Sequence, residues 1–266
     1  MNFILFLQIV FSALLGASLG SFFNVVAHRS VEGRPWWGRA RSICESCGRE
    51  LTLPELIPLV SWPAQRGRCR GCNERISPRY FVVEVVGAVA AGLLAWRWGF
   101  TWAFFLSMAG AFGLLLNALT DYEAGDVFDI FALVMGICGL LIRLFGGRDA
   151  VVDGLIGVAL GWSLFAVIIL VSRGGMGWGD ACFMGGAGAI FGWKMTLLAF
   201  YLGIMAGGFG VFWLMFRGKV KWGRKDSIHL VPFLAVGGFL TLLWGPWLLY
   251  LLGEHLGRPF LTDWPF

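Results

Sequence analysis

Long apolar runs separated by short polar breaks occupy most of this chain. Eight runs are apolar enough to form helices in a membrane, and most approach the 20 or so residues that a membrane-spanning helix needs. They cover residues 3–27, 81–96, 102–120, 130–145, 151–171, 181–192, 195–216 and 230–252. The sixth run is short for a complete crossing, so we expect it to be tilted or embedded among other helices. The pattern predicts an all-α polytopic membrane protein with about eight transmembrane helices.

The overall composition agrees with this pattern. Of the 266 residues, 58% are hydrophobic and only 14% are charged. A soluble domain of this length could not bury so much apolar surface. No Lys or Arg precedes the first apolar run, which argues against a cleaved signal peptide and for a retained first helix.

The polar breaks differ strongly in positive charge. Ten arginines fall in the longest of them, residues 28–80. Positive residues concentrate in the cytoplasmic loops of membrane proteins. If this segment is cytoplasmic, alternation of the spans gives sixteen Lys and Arg on that side and five on the opposite side. The same alternation predicts that the breaks at 121–129, 172–180 and 217–229 are cytoplasmic.

This asymmetry also suggests a division into domains. We predict a first transmembrane helix at residues 1–27, a cytoplasmic domain at 28–80 and a membrane-embedded domain at 81–266. The arginines of the cytoplasmic domain fit an orientation signal or contact with membrane lipid better than a nucleic-acid surface. We therefore expect lipid, and not nucleic acid, among its partners.

Two aspartates lie in the polar breaks, Asp121 after the third run and Asp180 before the sixth. Ionisable residues at membrane spans are costly, which makes both candidates for a functional site. The predicted topology places both at the cytoplasmic face, where two neighbouring carboxylates could share a proton and activate a water molecule. Taken singly, each could also be a structural carboxylate at a helix end, or an N-cap for Asp180. Asp149 and Asp153 fall on the opposite side, and we predict no role for them.

Four of the six cysteines form two Cys-x-x-Cys pairs with 21 residues between the pairs. They are Cys44, Cys47, Cys69 and Cys72. Two such pairs at this distance suit a tetrahedral four-thiolate zinc site. Two disulfides or an iron–sulfur centre are the alternatives, although disulfides do not persist in a reducing cytoplasm. A segment of about 50 residues with few apolar clusters needs such a metal to fold, so we predict structural Zn²⁺.

Further motifs follow one another in order between residues 16 and 240. They are GSFFNVV at 20–26, ELIPLVSW at 55–62, Asp121 with Asp129 eight residues later, GMGWGD at 175–180 and VPFLA at 231–235. Together with the cysteine pairs, this ordered set resembles the type IV prepilin leader peptidases, also called prepilin peptidase/N-methyltransferases. A lone Gly-x-Gly-Asp would be weak evidence, whereas the complete set is specific.

The resemblance implies an aspartic endopeptidase in the bacterial cytoplasmic (inner) membrane, with its active site facing the cytoplasm. Such enzymes remove the basic leader from prepilins and from the pseudopilins of type II secretion. Members with the cysteine domain also methylate the new N-terminal residue, using S-adenosylmethionine. By position, Asp121 and Asp180 match the two catalytic aspartates, and the four cysteines match the zinc ligands.

We expect three supporting residues around the aspartate pair. Gly177 and Gly179 would let the backbone lie close to an extended substrate, and Asp129 is the best candidate for a residue that supports the pair. The chain departs from the family pattern at Cys182, where members usually have lysine, and at Phe128, where they commonly have proline. These changes bear on substrate preference and turnover more than on the reaction.

Two other interpretations of the same sequence are possible. The chain could be a non-enzymatic membrane scaffold or transporter subunit with a zinc knuckle, or a family member that does not methylate. The scaffold interpretation predicts that replacing Asp121 or Asp180 with Asn leaves function intact, whereas the peptidase interpretation predicts loss of leader removal.

Overall fold

The computed structural model describes residues 2–37, 41–172, 177–217 and 229–256. Within these ranges the chain forms eight α-helices. They are α1 (Phe3–Val31), α2 (Ser61–Ala64), α3 (Arg79–Trp98), α4 (Trp102–Ala124), α5 (Asp129–Arg143), α6 (Arg148–Val171), α7 (Trp178–Phe216) and α8 (Val231–Leu256). The same ranges contain no β-strand, only two isolated β-bridges. The all-α prediction is therefore confirmed.

Parts of three predicted cytoplasmic breaks lie outside the described residues. Residues 38–40 of the 28–80 segment, with Arg39, are one such part, and the other two lie in the second unit. They are 173–176, which include the start of the GMGWGD motif, and 218–228, which carry several of the lysines and arginines counted above. The flanking helix ends are described, so the direction of each helix in this part of the chain can be followed.

Seven of the described helices, all except α2, are long and apolar enough to cross a membrane. The predicted runs at 181–192 and 195–216 are both contained in α7, which has 39 residues. A straight helix of this length would measure about 58 Å, roughly twice the thickness of the hydrocarbon core of a bilayer. However, at Gly192 φ is 72° and ψ is 174°, so the helix is broken between the two runs.

The two arms of α7, residues 178–191 and 193–216, run in opposite directions. Along the first arm the chain moves away from Asp180 until Ile190 reaches Gly110 and Leu242. Along the second arm it returns, because Met195 lies beside Gly245, whereas Gly203 lies beside Leu234 near the start of α8. The seven helices thus contain eight apolar segments, and the short sixth segment is embedded among its neighbours.

The chain divides into two compact units, residues 1–99 and 100–266. In the first unit α1 packs against α3. A Cβ added to Gly20 would lie 2.8 Å from the carbonyl oxygen of Val83, and one added to Gly16 would collide with the backbone of Gly87. Small residues allow helix backbones to approach this closely. The predicted domain boundaries stay predictions, and α3 shares a unit with α1.

In the second unit α7 is central and contacts α4, α5, α6 and α8. Its first arm lies against α6 at two glycines, because a Cβ on Gly157 or Gly161 would collide with the backbone of Gly188 or Met184. The buried side chains of this arm include Phe183 and Phe191. This packing leaves the first turn of α7 at one end of the unit.

An ion pair between the buried Arg143 and the half-buried Asp153 holds the break in α7. Arg143, at the end of α5, is fully buried, and its Nε and Nη2 donate to the carbonyl oxygens of Ala189 and Ile190 at 2.8 and 3.0 Å. Its Nη1 donates to Asp153 Oδ2 at 3.0 Å. Asp153 Oδ1 accepts the N–H of Trp193 at 3.3 Å. The backbone carbonyls and the N–H that lose their helical hydrogen bonds at the break are thus bonded to Arg143 and Asp153 instead. A broken helix within a membrane requires such replacement partners.

Candidate active site

Asp121 lies in the last turn of α4 and is only 6% exposed. Its Oδ2 accepts a hydrogen bond at 3.2 Å from the N–H of Val231, the first residue of α8. The imidazole of His229 is also close enough to interact electrostatically with the carboxylate. Helix α4 ends at Gly125, whose φ of 69° is favourable for glycine and lets the chain turn away. The carboxylate of Asp121 therefore lies at the N-terminus of α8, a favourable position for an anion.

Asp180 is the third residue of α7 and is half-buried. The carboxylates of Asp121 and Asp126 are both near enough to interact electrostatically with it. A Cβ added to Gly179 would lie 3.0 Å from the carbonyl oxygen of Val127, so α7 begins directly against the segment that follows α4. The structure thus brings the two predicted aspartates, from different helices, to the same end of the second unit.

The three supporting residues also lie at this end. Gly177 is the extended residue before α7, with φ of −76° and ψ of 148°, and Gly179 permits the close contact with Val127. Asp129, the first residue of α5, forms a side-chain hydrogen bond with Cys182. From the sequence we predict no role for the neighbouring residues His229, Asp126 and Val231, although Val231 begins the VPFLA motif. Their proximity depends on where α8 begins, which a linear pattern does not reveal.

Two carboxylates in this arrangement could act on a water molecule. They come from the ends of α4 and α7, and a backbone N–H from α8 already donates to one of them. Close carboxylates share protons, so one can accept a proton while the other donates one. The site therefore has the groups that acid–base hydrolysis requires.

The four cysteines of the first unit form a potential metal-binding site. Their Sγ atoms all lie within 4.8 Å of one another, and those of Cys44 and Cys72 are 3.8 Å apart. Sulfur atoms at about 2.3 Å from a tetrahedral zinc ion are about 3.8 Å apart. The four thiols are free of disulfide bonds. Both the donor set and the spacing therefore fit one tetrahedral metal ion.

Each Cys-x-x-Cys pair lies in a tight turn, and in the second turn backbone N–H groups favour the thiolate of Cys69. Backbone N–H groups of Cys72 and Gly71 donate to Cys69 Sγ and lower the pKa of this thiol to about 6. Isolated β-bridges, Ile43 with Glu50 and Arg68 with Arg75, close the two turns. The protein thus supplies part of the stabilisation that a metal-bound thiolate needs.

Comparison with known proteins shows which family the chain resembles over most of its length. The model for the bacterial peptidase A24 N-terminal domain matches residues 14–98, and the model for the type IV leader peptidase family matches residues 108–212. A prepilin leader peptidase/N-methyltransferase of Pseudomonas aeruginosa is 34% identical over 260 residues, which cover 87% of this chain and 89% of the relative.

Two further relatives carry the same name. The protein from Stutzerimonas stutzeri is 32% identical and covers 87% of this chain and 89% of its own length. The protein from Aeromonas hydrophila is 31% identical, with 91% of each chain covered. No solved structure matches the chain significantly. Because these similarities extend over most of the chain, from the cysteine domain to the helices that carry Asp121 and Asp180, it belongs to the type IV leader peptidase family.

Proposed function

We propose that this protein removes the leader peptide from prepilins and pseudopilins at the cytoplasmic face of the inner membrane, with Asp121 and Asp180 as the catalytic pair. The observation that carries the proposal is the meeting of these two carboxylates at one end of the second unit. Family membership supports the reaction, since the relatives are named as leader peptidases.

The pair would work by acid–base catalysis on a water molecule. The ionised carboxylate takes a proton from water as the water oxygen attacks the carbonyl carbon of the scissile bond. The protonated carboxyl donates first to the carbonyl oxygen and then to the leaving amine as the C–N bond breaks. A coupled pair titrates as a unit, so we assign neither role to one residue.

The position of the site suits the expected substrate. Both aspartates lie at helix ends. A substrate with its leader in the cytoplasm and its apolar segment in the membrane would present the bond between them at this depth. Gly177 leaves room for an extended backbone beside Asp180, because a Cβ added there would meet only the N atom of Gly179, at 4.0 Å. The alternation of spans counted from the arginine-rich segment 28–80 supports placement of this end on the cytoplasmic side, and Arg217, which follows α7, agrees with it.

Leader removal by the full-length protein in membranes tests the proposal. We expect loss of the leader mass from a prepilin, and loss of this activity by at least about 100-fold in Asp121→Asn and in Asp180→Asn. Asp149→Asn, the same substitution at an exposed residue on the opposite end, is the matched control. Unchanged cleavage in either active-site variant, with normal membrane insertion, would refute the assignment.

We also propose that the protein methylates the new N-terminus. The relatives are named N-methyltransferases, and S-adenosylmethionine is the expected methyl donor. The cleaved product should gain about 14 Da when this donor is added, the mass of one methylene. A product that is cleaved but never gains this mass would identify a member of the family that does not methylate.

The metal site is proposed to hold structural Zn²⁺ on Cys44, Cys47, Cys69 and Cys72. We expect metal analysis of the purified protein to find one zinc per chain, and Cys44→Ser or Cys69→Ser to lose it. Proteolysis within residues 28–80 should then become faster, because metal binding and folding of such segments are coupled. Cys138→Ser, which removes an exposed thiol from α5, should retain zinc. Full zinc content in the Cys69 variant would exclude this ligand set.

A further inference from the structure

A basic groove lies on the cysteine-rich part of the first unit, outside both sites described above. It has a volume of about 430 Å³, and three arginines line it together with Trp62, Ile76 and Pro78. The arginines are Arg66, Arg68 and Arg75, and we call this feature the arginine groove. All three side chains are exposed. The groove is therefore open to a ligand from outside the protein.

The positive charges of the groove lack compensation from the protein. Arg68 and Arg75 face each other directly across an antiparallel β-bridge, and like charges in such a position are destabilising. Within the described part of the chain, the ion pairs involve other residues. Arg68 Nη1 makes only a long hydrogen bond, 3.4 Å, to the carbonyl oxygen of Asn73. Three guanidinium groups around one groove are well suited to bind an oxyanion.

The groove lies where a membrane span begins. Pro78, on its wall, immediately precedes α3, which is long and apolar enough to cross the bilayer. Trp62 stacks on Phe81 in the first turn of α3, with ring centroids 5.4 Å apart and planes 17° apart. Tryptophan and arginine at this depth are typical of the headgroup region of a membrane. The oxyanions concentrated there are lipid phosphates.

The aromatic residue of the groove argues against a nucleotide as the ligand. One face of Trp62 is covered by Phe81. Gly67 lies against the indole as well, since a Cβ added there would come within 2.8 Å of Trp62 Cζ2. The indole therefore offers an edge instead of a stacking face, and its Nε1 already donates to the carbonyl oxygen of Ile76. An adenine ring would find no aromatic face on which to stack.

We propose that the arginine groove binds the phosphate headgroup of an anionic phospholipid, such as phosphatidylglycerol. The arginines contact the phosphate, and the edge of Trp62 and the side chain of Ile76 contact the start of the acyl region. The bound lipid fastens the cysteine-rich segment to the membrane surface beside α3. This role is separate from leader removal and does not depend on it.

Native mass spectrometry of the full-length protein with added lipid tests this proposal. We expect wild-type protein to retain phosphatidylglycerol in preference to phosphatidylcholine. The double variant Arg68→Gln/Arg75→Gln should bind phosphatidylglycerol about 30-fold more weakly, from the usual contribution of two basic residues at an anionic membrane surface. The matched control, Arg34→Gln/Arg41→Gln, removes the same charge from exposed positions of the same segment and should bind as wild type does.

In these binding measurements, three outcomes would overturn the proposal. The groove variant could retain phosphatidylglycerol as strongly as wild type, or the control variant could lose as much affinity. Displacement of the lipid from wild type by inorganic phosphate at roughly 10 mM would instead identify free phosphate as the ligand.

A measurement on the unmodified protein makes the test independent of whether the variants fold. Phosphatidylglycerol with a photoreactive headgroup should crosslink to peptides within residues 62–78. Crosslinks confined to other segments would refute the proposal.

Discussion

Glu55 shows how one residue can organise the segment between the two cysteine pairs. It is 5% exposed, yet both of its oxygens are satisfied. Arg49 Nη2 donates to Oε1 at 2.6 Å, while the N–H and Oγ1 of Thr52 donate to Oε2 at 2.9 and 2.8 Å. The hydrogen bond from Arg49, helped by those from Thr52, lowers the pKa of Glu55 to about 2. Burial of this carboxylate is tolerated because both of its oxygens accept hydrogen bonds, three in all.

Replacing Glu55 with Gln should therefore weaken the cysteine domain at neutral pH. We expect the free energy of unfolding to fall by about 1–3 kcal/mol, the usual effect of losing charge-assisted hydrogen bonds. Since the folded pKa lies below the ordinary value of 4.5, this stabilisation is complete above pH 4.5 and is lost as the pH falls towards 2. Hydrogen exchange of peptides from residues 41–76, in the full-length protein, measures the effect.

The exposed residue Glu74 provides the control for this prediction. Glu74→Gln removes the same charge from the same segment and should change hydrogen exchange little at any pH. If Glu55→Gln exchanged like wild type at pH 7, or if the difference between them grew on acidification, the proposed role of the carboxylate would be wrong.

At the scale of elements, the hairpin formed by the two arms of α7 explains why a short apolar run can be part of a membrane domain. The first arm of 14 residues is only about 21 Å long. It is covered by α4, α5, α6 and α8 and ends at a break that Arg143 and Asp153 satisfy. A short helix is stable here because protein, and not lipid, surrounds it.

Removal of Arg143 should destabilise this hairpin strongly. In Arg143→Met, three backbone carbonyls and the Asp153 carboxylate would lose their partner, and losing the buried member of an ion pair costs about 3–5 kcal/mol. Arg143→Lys should recover only part of the loss, because one ammonium cannot reach all four acceptors. Thermal unfolding in detergent checks both variants.

The control for the hairpin is Arg148→Met, at an exposed arginine at the start of α6. It should unfold at nearly the wild-type temperature. Equal unfolding temperatures for Arg143→Met and wild type would mean that the break in α7 is held by packing alone.

At the scale of the whole second unit, the helices alternate so that the candidate site residues gather at one end. Asp121, Asp129 and Asp180 lie there with the start of α8, whereas Gly192 and the Arg143–Asp153 pair lie at the other end. Because α7 contains two antiparallel arms, its last residues return to the end that holds the aspartates. A single crossing by α7 would have placed residue 217 at the opposite end.

Reporter fusions test this topology and its orientation. Fusions of a fluorescent protein after residues 125, 172 and 217 should all fluoresce, which places these positions in the cytoplasm. Alkaline phosphatase, which is active only outside the cytoplasm, should be active after residue 147 and inactive at the other three sites. Phosphatase activity after residue 217 but not after residue 172 would show that α7 crosses the membrane once. Activity after both would reverse the proposed orientation.

The periodic and compositional features of the sequence were sufficient to predict several parts of the molecule. Apolar runs predicted the membrane helices because spans must satisfy their backbone internally, and this requires long apolar helices. The two Cys-x-x-Cys pairs predicted the cluster because their spacing places thiols in two tight turns. The ordered motifs predicted the family, which the comparisons confirm.

Other features depended on contacts between segments far apart in sequence. Asp153 was assigned no role, yet it pairs with Arg143 and receives the N–H of Trp193. The N–H of Val231 reaches Asp121 only because α8 starts beside the end of α4. Neither contact leaves a local pattern, since hydrogen bonds across helix ends have no fixed spacing in sequence.

The sequence by itself determined the membrane class, the helical segments and the cysteine cluster, and it singled out Asp121 and Asp180 as candidates, because hydrophobic run length and short motifs are local properties. The tertiary structure alone decided that α7 turns back at Gly192, that the Arg143–Asp153 ion pair holds this turn, and that Asp121 and Asp180, which the sequence places only on one membrane face, lie close enough to interact. The direction of a helix after a break, and the neighbours of its ends, are set by packing among all the helices.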